Sequence, residues 1–158
     1  MSIVESGTLH HTCFVVRDVE RTAAALAKSL GIRPWGVWTI EPAAGTVRGR
    51  EASFTFRIAL AAVGGASYEL LAPLSGESVY DEHLAEKGEG FHHTCIAYAS
   101  REALQAAKAE LTRRGRELVQ SGDLGPGGEF CYFAVPETGA LLELLYTTEL
   151  PPPEATIG

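Results

Sequence analysis

The chain has 158 residues, 46% hydrophobic and 21% charged, the composition of one globular domain with enough apolar mass for a core. A formal charge of −7 excludes the basic field that draws nucleic acid or an anionic membrane, and no apolar run approaches the roughly 20 residues needed to span a bilayer. Three sparse cysteines, Cys13, Cys95 and Cys131, argue against a disulfide framework, and Met1 to Gly7 lacks the basic and apolar regions of a signal peptide, so a cytoplasmic location is expected.

In chain order, Leu9 to Val16 reads as a strand, rich in apolar and β-branched residues. Asp18 is placed to cap a helix running through Val19, Ala23, Leu26 and Leu30, which Gly31 ends. Trp35 to Ile40 is a short strand, and Pro42 to Glu51 a loop. Ser53 to Ala62 and Ser67 to Leu71 follow as strands around a Gly64-Gly65 turn. Ser78 caps a connecting helix that Gly88 stops. His92 to Tyr98 is the next strand, and Ser100 caps a helix to Arg114 that ends at Gly115. Strands follow near Glu117 to Gln120, over Glu129 to Val135 and over Ala140 to Thr147. The Pro-rich tail 151–158 reads as mobile.

The tetrapeptide His-His-Thr-Cys occurs twice, at His10–Cys13 and at His92–Cys95, and a Glu-Leu-Leu string follows each, at Glu69 and at Glu143. The separations are 82 residues for the histidines (93 − 11) and 74 for the glutamates (143 − 69). The chain therefore reads as an α+β domain of two βαβββ modules, at about 8–73 and 91–147, joined by the linker helix 78–87. The first copy carries about eight extra residues. A unit of this kind cannot bury its own apolar face and needs its twin.

Alternation along a strand puts His11, Cys13 and Val15 on one face, and His10, Thr12 and Phe14 on the other. The second copy repeats this with His93 and Cys95 against His92 and Thr94. Glu69 and Glu143 each sit among leucines, where a carboxylate is anomalous unless paired or bound to metal. His11, Glu69, His93 and Glu143 thus form a candidate metal-ligand set. Two imidazoles and two carboxylates suit one divalent ion, Zn²⁺, Ni²⁺, Co²⁺, Mn²⁺ or Fe²⁺, and ligand type alone does not choose among them. A closed zinc site of His11, Cys13, His93 and Cys95 is the competing assignment. It leaves both glutamates unexplained, and Cys13 and Cys95 read better as small apolar fillers.

The run His11-Thr-Cys-Phe-Val-Val-Arg-Asp-Val-Glu20 resembles the opening strand and helix start of the vicinal oxygen chelate superfamily, which includes glyoxalase I, methylmalonyl-CoA epimerase, extradiol dioxygenases and antibiotic-resistance proteins. Tyr80-Asp-Glu-His-Leu84 through Gly88-Glu-Gly-Phe-His-His93 resembles its epimerase-like branch, and the resemblance reaches Thr147. It implies an open eight-stranded cup around a metal held at His11, Glu69, His93 and Glu143. It also implies a small-molecule carbonyl or acyl-CoA substrate, with a homodimer as the expected assembly. Metal chelation of two substrate oxygens would stabilise an enolate as it forms. Glu143 would remove the proton beside the carbonyl, with Glu69 as its mirror image, giving epimerisation or isomerisation.

One departure bears on this. The epimerases carry a second catalytic glutamate in the loop before the third strand, a position that falls near Ser53 here, with Glu41 and Glu51 nearby but not aligned. A glyoxalase I-type lyase shares the His, Glu, His, Glu order, but the Ala23–Lys28 helix lacks the Phe-Tyr pair of those enzymes. In an extradiol dioxygenase, Glu69 would crowd out O₂ or catechol. A non-catalytic binding protein needs no ligand set. Arg48, Arg50 and Arg57 read either as contacts for coenzyme A phosphates or, more simply, as a solvated edge. Trp35, Trp38, Phe54 and Phe56 read as core or pocket wall. Gly125–Gly128 lacks the Lys-Ser/Thr of a phosphate loop, and Gly127 and Gly128 are candidates for a gate.

Overall fold

The computed structural model describes residues 2–158. Strand β1 (Gly7–Val15) leads into helix α1 (Val19–Leu30). The Asp18 side chain accepts the Arg21 N–H at 2.9 Å, and Gly31 ends the helix at φ 71°, a left-handed conformation that suits a residue without a Cβ. The first half continues with β2 (Trp35–Ile40), β3 (Ala44–Val47), β4 (Arg50–Glu51), β5 (Thr55–Val63) and β6 (Ala66–Ser75). Helix α2 (Val79–Lys87) bridges to the second half, its Val79 N–H held by Gln120 Oε1 at 2.9 Å. That half comprises β7 (Gly90–Tyr98), α3 (Arg101–Arg113), β8 (Leu118–Asp123), β9 (Gly128–Val135), β10 (Ala140–Thr147) and β11 (Ala155–Ile157).

All the strands join one open sheet in the order β11-β2-β5-β6-β1-β7-β10-β9-β8-β3-β4. The antiparallel pair β1–β7 lies at its centre. From that pair outward, each half runs first strand, last, third, second. The duplication read in the sequence is therefore present as mirrored topology, and the fold is mixed α+β with a large unclosed sheet. Among the described residues, no helix is long and apolar enough to cross a membrane.

The eight module strands are extended at both ends by segments expected to be irregular. Residues 42–51 form the β3–β4 hairpin, which leaves the β2 edge of the first half and pairs with β8 at the far edge of the second. The tail expected to be mobile pairs instead with β2 through Ala155–Ile157. Backbone donors and acceptors left open along both sheet edges favour such additions.

Three apolar clusters follow from strand alternation. Val19 and Ala23 of α1 pack with Trp35, Ala59 and Leu70 on the outer face of the first half. Leu104, Ala107 and Leu111 of α3 pack with Phe133 and Leu144 on the outer face of the second. The third cluster fills the inside of the sheet, where Cys13, Leu71, Cys95 and Leu145 meet Phe56, Phe130, Tyr132 and the Tyr80 ring of α2.

Candidate metal centre

Parallel pairing sets the carboxylates beside the histidine strands. Cys13 lies opposite Glu69 in the β1–β6 register, and Cys95 opposite Glu143 in the β7–β10 register. Because β1 and β7 are themselves paired, with Cys13 opposite His93 and His11 opposite Cys95, the two sets face each other across the module junction.

His11, Glu69, His93 and Glu143 come together there, and all are buried, with 2%, 6%, 0% and 5% of their surface exposed. The two Nε2 atoms are 3.2 Å apart. Glu143 Oε2 stands 3.0 Å from His11 Nε2 and 2.9 Å from His93 Nε2, while Glu69 Oε1 stands 3.4 and 3.7 Å from the same nitrogens. Donors about 2.1 Å from a common ion lie roughly 3.0–3.4 Å apart, so this spacing suits a divalent cation. Despite its two close nitrogens, Glu143 Oε2 has no hydrogen-bond partner. Two carboxylates buried at one point need positive charge beside them, which a divalent cation at this spacing would supply. The set fits a metal ion.

In the protein alone, burial works to lower the basicity of His11, but Glu69 and Glu143 outweigh it and push the pKa up to about 9. Burial raises the Glu69 carboxyl, against the pull of His11. For Glu143, burial is overcome by His93 and His11, which hold the carboxyl well below its usual range. The two carboxylates are thus driven apart, one towards the neutral form and one towards the ionised.

His10 and His92 do not face away from the site, as strict alternation predicts. Leu9 pairs with Ile96 and His11 with Cys95, which leaves His10 as an extra residue on β1. Cys13 pairs with His93 and Phe14 with Phe91, which leaves His92 as an extra residue on β7. A β-bulge at each position re-aims the side chain. The His10 Nδ1–His11 Nδ1 and His92 Nδ1–His93 Nδ1 distances are both 2.7 Å. Cys13 and Cys95 are buried in the apolar cluster inside the sheet, as fillers would be. Burial, followed by the facing glutamates, pushes both thiols well above their usual pKa, so each keeps a proton beside Glu69 or Glu143.

A cavity of about 320 Å³ opens onto His11, Glu69 and Glu143. Its apolar wall includes Ile40, Phe56, Ile58, Leu60, Leu124 and Phe130, and its polar lining includes His10, Ser67, Thr147, Thr148 and Glu149. Of the aromatic residues singled out above, Phe56 lines the cavity. Trp35 and Phe54 are core, and Trp38 donates from Nε1 to Pro151 O. Leu124 stands at the wall where Gly127 and Gly128 were expected to gate. Gly128 is fixed instead by close packing, since a Cβ there would meet Tyr146 O at 2.0 Å.

Glu51 and Ser53 line a separate groove with Ala44, Lys108 and Asp123, and Glu41 lines neither. Arg48 is paired with Glu82 and Glu117, and Arg57 with Glu20 and Glu154. Arg50 is exposed on β4, and among the described residues no arginine lines the cavity at His11, Glu69 and Glu143. The lining residues Thr147 to Leu150 carry no sequence signal, because their place depends on where β10 ends.

Residues 10–134 match the sequence profile of the glyoxalase/bleomycin resistance protein/dioxygenase superfamily. The chain belongs to that superfamily. No curated protein matches the sequence. Among solved structures, a hypothetical protein from Bacillus halodurans C-125 superposes with a TM-score of 0.65 at 23% identity, over 93% of this chain and 99% of that one. Methylmalonyl-CoA epimerase from Mycobacterium tuberculosis gives 0.62 at 23% identity, covering 94% of each chain. A methylmalonyl-CoA epimerase in complex with methylmalonyl-CoA and NH4+ gives 0.63 at 20% identity, over 94% of this chain and all of that one. At these identities the likeness is one of fold.

Proposed function

We propose that this superfamily member is a divalent-metal-dependent enzyme that moves a proton on the carbon next to a carbonyl, in an epimerisation or isomerisation. The observation that carries the reading is the convergence of two buried imidazoles and two buried carboxylates beside a largely apolar cavity that His11, Glu69 and Glu143 line. His11, Glu69, His93 and Glu143 would hold the metal, which supplies Lewis-acid stabilisation of charge developing on substrate oxygen.

The chain's own groups then divide the work. Glu143, which lines the cavity beside both histidines, takes the proton from the carbon acid. Glu69, its counterpart in the other half, faces the same cavity and is placed to return a proton. Glu41 and Glu51 take no part, because neither lines the cavity.

Glu143→Gln is expected to lower turnover on the order of 10²- to 10⁴-fold, the usual cost of a missing general base, while substrate still binds. Glu69→Gln is expected to cost less, since glutamine still offers an oxygen to the metal. With 2-substituted acyl-CoA thioesters and α-hydroxyketones as the panel, solvent deuterium should enter the stereocentre at a rate comparable to turnover. Uptake of O₂ with a catechol, and no solvent exchange into any carbonyl compound, would overturn the proposal in favour of a dioxygenase. A reaction dependent on glutathione would replace it with a lyase.

A further inference from the structure

The repeated histidine doublet is explained only in part by one metal ligand per module. The first histidine of each doublet occupies the bulge of its strand, His10 on β1 and His92 on β7. The bulges are on opposite strands of one antiparallel pair, so each module has placed its extra residue at the same point of its own motif. Both doublets then reach the same geometry, with Nδ1 atoms 2.7 Å apart, ring centroids 5.0 Å apart and rings inclined at 78°. Without the bulge, neighbouring strand residues point to opposite faces and their rings do not meet. A ladder position is given up twice for one contact.

A nitrogen pair at this distance shares one proton, and where that proton sits fixes the ring nitrogen on the other side. When the Nδ1 of His11 or His93 donates, its Nε2 keeps a lone pair directed at the shared site. A metal ion held by both Nε2 atoms requires that state, because coordination uses the Nε2 lone pair, and the two Nε2 atoms face each other at 3.2 Å across the shared site. We infer that His10 and His92 are positioning residues that accept the Nδ1 proton of His11 and His93, and so fix the tautomer and ring orientation in which each presents Nε2 to a metal. This inference rests on the metal reading of the site proposed above.

The two positions differ in surroundings. His92 is buried against the Tyr80 and Tyr132 rings, with centroids 5.5 and 5.9 Å away, so it has a packing role as well. His10 is half-buried and borders the cavity. His10 is therefore the cleaner test.

The experiment measures zinc affinity by chelator competition, and the imidazole N–H resonances of the zinc-loaded protein by ¹⁵N-edited NMR. The proteins are wild type, His10→Ala and His10→Asn, with the His92 counterparts where they fold. Loss of a group that orients a metal-bound histidine typically weakens binding about 10- to 100-fold. That loss is expected for His10→Ala, together with loss of the sharp Nδ1–H signal of His11. His10→Asn, whose Oδ1 stands near the position of Nδ1 as an acceptor, is expected to restore most of both. Wild-type affinity in His10→Ala overturns the inference and leaves the metal reading intact. Equal losses in the alanine and asparagine variants overturn it in favour of simple packing. Failure of the wild-type protein to bind any divalent ion ends both.

Discussion

At the level of single residues, the inside of the sheet combines apolar packing with a few polar contacts placed where water cannot substitute. Tyr80 and Tyr132 share a hydroxyl–hydroxyl hydrogen bond of 2.8 Å, both rings being fully buried, and Tyr132 lies against His93 with centroids 4.8 Å apart. Removing one hydroxyl leaves the other as a buried donor without a partner, at a cost of about 1–3 kcal/mol. Removing both leaves nothing unsatisfied. Tyr80→Phe and Tyr132→Phe are each expected to lower stability by that order in urea titrations, and the double variant by less than the sum of the two. A double variant with additive losses would show that the pair is not a hydrogen bond in solution. The four candidate ligands were legible in sequence because a carboxylate among leucines is costly to bury, and its recurrence in phase with a histidine strand supplies the partner that offsets the cost. The orientation of His10 and His92 was not legible. Alternation holds only until a bulge interrupts it, and a bulge is decided by the pairing of two strands that lie about 80 residues apart.

Elements with strong local signals fall where the sequence puts them. The three helices begin at Asp18, Ser78 and Ser100, each of whose side chains accepts a backbone N–H three residues on. The edges of the sheet were not readable, because an edge strand is defined by what it meets. The β3–β4 hairpin is read as a loop from its Pro, Gly and polar content, yet it lies on β8 and is tied there by Ala43 N–H to Asp123 O at 2.8 Å and Arg48 N–H to Val119 O at 2.9 Å. The tail similarly covers the edge of β2. Its Glu154 accepts from Thr39 N–H and pairs with Arg57, both at 2.8 Å, while Trp38 Nε1 donates to Pro151 O at the same distance. Deleting residues 151–158 uncovers that edge and removes Glu154 from Arg57, which keeps Glu20. A loss of about 2 kcal/mol would lower the melting temperature of a chain of this length by about 4–8 °C. Metal content is expected to stay at the wild-type level, since no proposed ligand is touched. An unchanged melting temperature would show that the tail does not hold the edge.

For the molecule as a whole, the sheet gives each module a core of its own, with α1 on one half and α3 on the other, while the polar residues of the junction are drawn equally from both. β1 and β6 supply His11 and Glu69, and β7 and β10 supply His93 and Glu143. An ion bound by all four would tie the two halves at a buried point of their junction, where two carboxylates otherwise have only the two imidazoles beside them. Binding to the folded state alone stabilises by about 4 kcal/mol when free metal exceeds its dissociation constant a thousandfold. For about 158 residues this corresponds to roughly 8–16 °C in melting temperature. Stripping the protein with EDTA is expected to lower its melting temperature by that amount, and adding back the native metal to restore it. His93→Ala, which leaves one imidazole and two carboxylates, should melt at the same temperature with and without EDTA. If wild type is also indifferent to EDTA, and elemental analysis of the purified protein finds no divalent ion, the junction is a polar cluster held by its histidines alone. The duplicated motif would then owe its four polar side chains to hydrogen bonding within the junction rather than to a metal.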